Sequence, residues 1–266
     1  MVVALGVLIL VFGGPSLPPE ARIEAARAIE RARYAFVLSA TSPFDDAYPR
    51  QVFEKRVARE MKEERALAAA FGISITPEVL AQEYERIEKD TKAPDQWEAI
   101  KKALGNDRRL VEEAFCRPLV VDRELRARFA FDPKLHEESH TRAREARSRF
   151  VEGKPVEGAR ILRLSRHAEV AESTDALLDS AKAKARGPQV LTTEPQPKAD
   201  PPVRLDPEAR HVLEGQLKRP GDVSTILSER DRFSVYRVLA VTADAWTVEA
   251  AVFPKRDFEA WLAGLE

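Results

Sequence analysis

Two histidines four residues apart form the pattern that most directly suggests chemistry. Residues 136–140 read His-Glu-Glu-Ser-His. On a helix this spacing places both histidines on one face, where they can bind Zn²⁺ while a glutamate between them polarises a water molecule. A zinc hydrolase built on this pattern would use His136 and His140 as ligands and Glu137 as the base.

The surroundings of the histidine pair favour a solvated helix over a metal site. Glu138, Arg142 and Arg144 make this helix polar on most sides. The extended zinc pattern also fails, because Ala143 and Ala146 stand where a glycine and a third histidine would be needed. We therefore predict no metal and keep a zinc metallohydrolase as the third-ranked alternative.

The other reactive residue types lie outside any catalytic motif. Cys116 is the only cysteine of the 266 residues, so no internal disulfide can form. Its place beside Phe115 in a predicted helix indicates a small buried apolar residue. His167 and His211 lie in polar contexts without a serine or cysteine partner. We expect no cofactor.

Composition limits the classes of partner. Hydrophobic residues make up 44% of the chain, which is enough to fill a folded core. The 43 basic side chains are balanced by 44 acidic ones, so no net positive charge attracts nucleic acid or an acidic membrane surface. Nucleic-acid binding is therefore not expected.

An apolar run opens the sequence. Residues 1–12 are too few for an ordinary membrane span but match the apolar region of a signal peptide. A buried strand or helix of a cytosolic protein would give a similar short run. We interpret residues 1–16 as a signal peptide or a membrane anchor, which predicts export to the periplasm or the cell envelope.

Helical patterns dominate the chain up to residue 150, and strand patterns follow. A long helix with an apolar stripe is predicted over residues 50–71. Alternating apolar residues predict strands over residues 156–165, 232–241 and 246–252, before a closing helix over residues 255–265. In the second strand, alternation predicts one core face with Phe233, Val235, Leu239 and Val241, and one semi-apolar face with Ser234, Tyr236, Val238 and Ala240.

Two parts of the chain resemble one family of exported foldases. Residues 221–224, Gly-Asp-Val-Ser, and the strand that begins at Arg232 resemble the end of a parvulin-type prolyl isomerase domain. Residues 50–131 are similar to the helical chaperone domain that precedes the isomerase domain in SurA-like and PrsA-like foldases. The similarity lies in the long helix, in residues 71–79, Phe-Gly-Ile-Ser-Ile-Thr-Pro-Glu-Val, and in a Leu-Gly-Asn-Asp turn.

In this sequence, other residue types stand at the positions of the family's catalytic residues. Family members use two histidines, with a cysteine or aspartate between them, in a pocket that grips proline. Arg160 stands at the first histidine position and Ser234 at the second, and a short loop at residues 187–202 replaces the central region. The resemblance thus implies a degenerate domain without catalytic residues, whose peptide groove would be lined by Leu162, Ser234 and Tyr236.

The resemblance implies an α+β fold and a holding function. We expect a helical domain over residues 17–150, a degenerate parvulin-like antiparallel-sheet domain over 151–243, and a strand and helix over 244–266 that return to the helical domain. The implied function is binding of unfolded or extended envelope polypeptides, without catalysis or cofactor. The alternative is a structural subunit of an envelope assembly, which binds one fixed partner.

Overall fold

The computed structural model describes residues 16–37, 42–166 and 205–265. Residues 1–15 of the predicted signal peptide or anchor lie outside the described residues. The predicted loop at residues 187–202 and His167 do so as well.

The described chain is α+β, as the sequence predicts, and it divides into two compact units. A helical unit falls within Met1–Phe129 and Phe258–Glu266, and a sheet unit within Ala130–Asp257. None of the described helices combines the length and the apolar character needed to span a bilayer. The elements in chain order are α1 (Pro19–Tyr34), α2 (Phe44–Ala47), α3 (Arg50–Phe71), α4 (Pro77–Asp90), α5 (Pro94–Ala103), α6 (Arg108–Val111), a π-helical turn (Glu112–Cys116), α7 (Arg117–Phe131), α8 (Glu137–Val151), β1 (Arg160–Ser165), α9 (Pro207–Gln216), β2 (Leu227–Ser228), β3 (Arg232–Val241), β4 (Ala245–Pro254) and α10 (Phe258–Ala263).

Helix α3 has the bounds that the sequence predicts. Phe53, Val57 and Leu67 recur at helical spacing and are buried. Gly72 ends the helix in the left-handed conformation, at φ +67°, where a residue with a Cβ would be strained. The apolar period and the glycine together fix the length of this helix.

The closing helix α10 belongs to the helical unit. The Trp261 ring centroid lies 4.9 Å from that of Phe129 and 6.1 Å from that of Phe71. On the exposed side, Arg59 Nη2 donates a 2.7 Å hydrogen bond to Glu259 Oε1. Aromatic packing thus holds α10 on α3 and α7.

All four strands form one antiparallel sheet in the order β1-β4-β3-β2. Strand β4 is central, because it pairs with β1 on one side and with β3 on the other. The sequence analysis assigned residues 244–254 to a segment that returns to the helical domain, whereas only residues from Phe258 onward lie in the helical unit.

Each face of this sheet carries a buried apolar cluster, which corrects the expectation of one semi-apolar face. Helix α8 covers one face with Ala143, Ala146 and Phe150, so this helix packs against strands although most of its residues are polar. Helix α9 covers the other face through Leu213, above a cluster that includes Tyr236, Val238, Trp246 and Val248.

One residue of β3 departs from its predicted burial. Leu239 was expected on the core face, but its side chain is 41% exposed. A bulge between Val238 and Ala240 shifts the register with β4 by one residue. A bulge interrupts the period of two, so alternation alone misplaces this leucine.

Candidate functional site

The Gly-Asp-Val-Ser segment lies along the edge of β3. The backbone N–H of Gly221 donates to Val238 O, and that of Ser224 donates to Tyr236 O, both at 2.9 Å. The Ser224 hydroxyl in turn accepts a 3.0 Å hydrogen bond from the Tyr236 N–H. Gly221 has φ +92°, a conformation that favours glycine. The segment therefore completes the sheet.

Asp222 closes the turn before this segment. Its Oδ2 accepts hydrogen bonds from the backbone N–H groups of Lys218 and Arg219, each at 2.9 Å. These bonds favour the ionised carboxylate and lower the pKa of Asp222. The role of this acid is to fix the turn, because Oδ2 binds the backbone and Oδ1 lies 3.4 Å from Nε of Arg219.

Ser234 stands at the second histidine position and is fully buried. Its hydroxyl donates a 2.8 Å hydrogen bond to Glu229 Oε2, and Arg232 binds the same carboxylate through Nε at 2.8 Å and Nη2 at 2.9 Å. Burial raises the pKa of Glu229, but the hydrogen bonds from Arg232 and Ser234 outweigh it, so the net shift is downward. A buried hydroxyl bonded to a fixed carboxylate has no access to a substrate.

The three residues predicted to line a peptide groove share one face of the sheet. Leu162, Ser234 and Tyr236 all lie on the face that α9 covers. Ser234 and Tyr236 are buried, and Leu162 is partly buried against the same cluster. Burial also raises the pKa of the Tyr236 hydroxyl, which keeps it neutral. Their geometry is that of core residues rather than of an open groove.

Arg160, at the first histidine position, is exposed at the start of β1. It faces Ala250 of β4, so one complete strand separates it from β3. The structure therefore does not bring Arg160 and Ser234 into one pocket.

The two histidines of the zinc pattern have different surroundings. His136 precedes α8 and is buried, and its Nδ1 accepts a 3.3 Å hydrogen bond from the backbone N–H of Arg256. The His140 ring lies 5.1 Å from the ring of Phe233. In the described parts of the chain, no three or more His, Cys, Asp or Glu side chains are grouped so that they could hold a metal ion. The geometry thus gives the zinc alternative no support.

The remaining reactive side chains divide between core and surface. Cys116 is fully buried, and burial raises the pKa of its thiol to about 12. This confirms the prediction of an apolar core role, because only the thiolate is reactive. His211 is exposed on α9.

An open cleft of about 720 Å³ lies in the sheet unit, between the start of α9 and the turn after β2. Its most exposed apolar side chain is Phe131, which is 57% exposed. The sequence analysis missed this site, because the cleft joins three segments that are distant in the chain. Its lining consists of Phe131, Asp206, Glu208, Ala209, Val212, Thr225, Ile226, Leu227, Ser228, Glu229, Arg230 and Asp231.

Lys255 fixes the walls of this cleft. Its Nζ donates to Ala130 O at 2.6 Å, to Glu229 O at 2.6 Å and to Ser228 Oγ at 3.0 Å. The same ammonium lies 5.0 Å from the ring centroid of Phe131. Burial lowers the pKa of Lys255. One side chain thus ties the end of α7 to the turn after β2.

Neither the family models nor the curated proteins and solved structures that were compared with this chain contain a match to it.

Proposed function

We propose that this chain is an exported, catalytically silent foldase-like protein that holds unfolded or extended segments of envelope proteins. The observation that carries the proposal is the open cleft with Phe131 on its wall, in the same unit whose catalytic positions hold an exposed Arg160 and a buried Ser234. Arg160 and Ser234 lie on different, non-adjacent strands, and this supports polypeptide binding without catalysed rotation of a prolyl bond.

Physical considerations support a holding role for the cleft. Pockets that bind ligands commonly enclose about 300–1,000 Å³ and are mostly apolar with a few polar groups. The cleft has this size, and Ala209, Val212, Ile226 and Leu227 supply apolar lining beside Phe131. An exposed aromatic ring beside such a surface is typical of a site that accepts apolar side chains.

A parvulin-like activity would require more than such a cleft. The barrier to rotation about the peptide bond is about 18–20 kcal/mol, and catalysis must bind the twisted state more tightly than the planar one. The residues that align with the family's histidines are Arg160 and Ser234. They lie on β1 and β3, the two strands that flank β4. We therefore expect the chain to bind a polypeptide without catalysing its isomerisation.

Two assays test the proposal. Equimolar chain should suppress light scattering by an unfolded outer-membrane protein diluted from urea, and Phe131→Ala should reduce this effect. A proline-peptide isomerisation assay of the same preparation should give the uncatalysed rate. Absence of suppression would reject holding, and turnover that Ser234→Ala abolishes would reject catalytic silence. Recovery of one fixed stoichiometric partner from the envelope fraction would favour a structural subunit instead.

A further inference from the structure

The rim of the cleft is acidic. Four carboxylates and one guanidinium contribute to its lining. Two of the carboxylates are already engaged, since Glu229 binds Arg232 and Ser234, and Asp206 accepts the first N–H of α9 from Glu208 at 2.9 Å. Glu208 and Asp231 remain exposed to solvent.

Asp231 interacts with the charges of Arg232 and Lys255. Its side chain is 76% exposed, and the nearest guanidinium nitrogen, Arg232 Nη1, lies 3.8 Å from Oδ2. Glu208 lies in the first turn of α9. Three exposed carboxylates of the lining, Asp206, Glu208 and Asp231, face one exposed guanidinium, that of Arg230. The cleft therefore has a small excess of negative charge beside its apolar lining, which complements a ligand that carries cations and apolar groups together.

The edge of the sheet also reaches the cleft. Strand β2 ends the sheet order, and both of its residues, Leu227 and Ser228, line the cleft. An extended polypeptide can add to such an edge through its backbone, while pockets select alternate side chains. Successive side chains of an extended strand point to opposite sides. A ligand strand can therefore direct apolar side chains to the floor and basic ones to the rim.

We propose that this cleft selects extended polypeptide segments in which lysine or arginine alternates with apolar residues. The inference rests on the proposed holding function and specifies the class of segment held. Apolar side chains contact Phe131 and Val212, and basic side chains contact Glu208 and Asp231.

Peptide binding to the full chain tests the selectivity. The probes are two labelled ten-residue peptides, one alternating lysine with valine and the other alternating glutamate with valine, measured by fluorescence anisotropy. The basic peptide should bind about tenfold more tightly at low salt, because each ionic contact with an exposed carboxylate stabilises the bound basic peptide and destabilises the bound acidic one. Its affinity should fall as ionic strength rises from about 0.01 M to about 0.1 M, where the screening length drops from about 30 Å to about 10 Å.

Matched variants assign this selectivity to the cleft. The double variant Glu208→Gln, Asp231→Asn should weaken binding of the basic peptide about fivefold, because two exposed ionic contacts are lost. Glu145→Gln with Glu157→Gln removes the same charge from exposed positions in the same unit and should leave binding unchanged. Phe131→Ala should weaken binding without changing its salt dependence. Circular dichroism checks that each variant is folded.

Equal binding of the two peptides, or an unchanged affinity in the Glu208, Asp231 double variant, would overturn the charge selectivity. If the chain still suppresses client aggregation when charge selectivity is absent, the holding function remains supported. If neither peptide binds and aggregation is not suppressed, both proposals fail.

Discussion

Arg160 and Ser234 lie on strands that are not neighbours. Arg160 of β1 faces Ala250 of β4, and Ser234 of β3 faces Val252 of the same strand. With strands about 4.8 Å apart and a rise of about 3.4 Å per residue, the two backbone positions are about 12 Å from each other. The intervening strand prevents direct contact between the two side chains.

Restoring histidines at these positions should not create an isomerase. We expect the double variant Arg160→His, Ser234→His to show only the uncatalysed rate in a proline-peptide assay, because the two backbone positions are about 12 Å apart and position 234 is buried, which is unsuited to joint action on one peptide bond. The exposed single variant Arg160→His is the control, since it should keep the wild-type fold. A rate above the uncatalysed one in either variant would contradict the separation of the two strands.

Phe150 should contribute most of the packing of α8 on the sheet. Its side chain is buried against Val235 and Ala251, and the guanidinium of Arg237 lies 5.2 Å from its ring centroid. Phe150→Ala should lower the free energy of unfolding by about 3–5 kcal/mol, because it leaves a cavity in a covered face. Urea denaturation followed by circular dichroism measures this change.

The neighbouring residue supplies the control for that experiment. Val151 is 61% exposed, so Val151→Ala should change the free energy of unfolding by less than about 0.5 kcal/mol. Equal losses in the two variants would mean that α8 does not pack on the sheet through this face.

Local patterns made several elements predictable. The apolar period and Gly72 gave the bounds of α3, since both signals act within a few residues. Alternation likewise gave the bounds of β3, Arg232–Val241, and the faces of its first residues. In such elements one repeated pattern of apolar residues determines which side is buried.

Contacts between distant segments could not be predicted from the sequence. No local pattern states that β4 pairs with β1 as well as with β3, and this pairing is what separates Arg160 from Ser234. The cleft could not be predicted for a similar reason, because Phe131 and Asp206 are distant in the sequence and line one cleft only in the folded chain. The sequence predicted Ser234 as a groove residue because its burial and its bond to Glu229 depend on tertiary packing.

Glu83 should make the helical unit sensitive to acid. Arg86 and Arg123 both hydrogen-bond to its buried carboxylate, and these contacts lower the pKa of Glu83 to about 2. Because the folded pKa lies below the ordinary value of 4.5, the contribution is complete above pH 4.5 and is lost as pH falls toward 2. Glu83→Gln should cost about 1–3 kcal/mol at pH 7 and flatten the decline in stability between these pH values.

A nearby glutamate on the same helix provides the comparison for Glu83. Glu85 pairs with Arg108 at 2.8 Å, but both side chains are more than half exposed. Glu85→Gln should therefore change stability by less than about 1 kcal/mol and preserve the acid sensitivity. Urea unfolding at a series of pH values distinguishes the two variants, and an acid profile unchanged by Glu83→Gln would show that the arginines do not stabilise this carboxylate.

Lys255 should stabilise the sheet unit while making its stability depend on alkaline pH. Lys255→Met removes the donor from Ala130 O, Ser228 Oγ and Glu229 O, and should cost about 1–3 kcal/mol at pH 7 because buried acceptors are left unpaired. Burial lowers the folded pKa of Lys255 below its ordinary value of 10.5, so the unfolded chain keeps its proton to higher pH. The stability of the wild type should therefore rise relative to the methionine variant as pH increases through the folded pKa toward 10.5.

Denaturant titrations of both proteins at pH 7 and pH 10.5, with the exposed Lys154→Met as control, measure this difference. A gap between wild type and Lys255→Met that stays constant over this range would indicate that the ammonium is not desolvated beside Phe131.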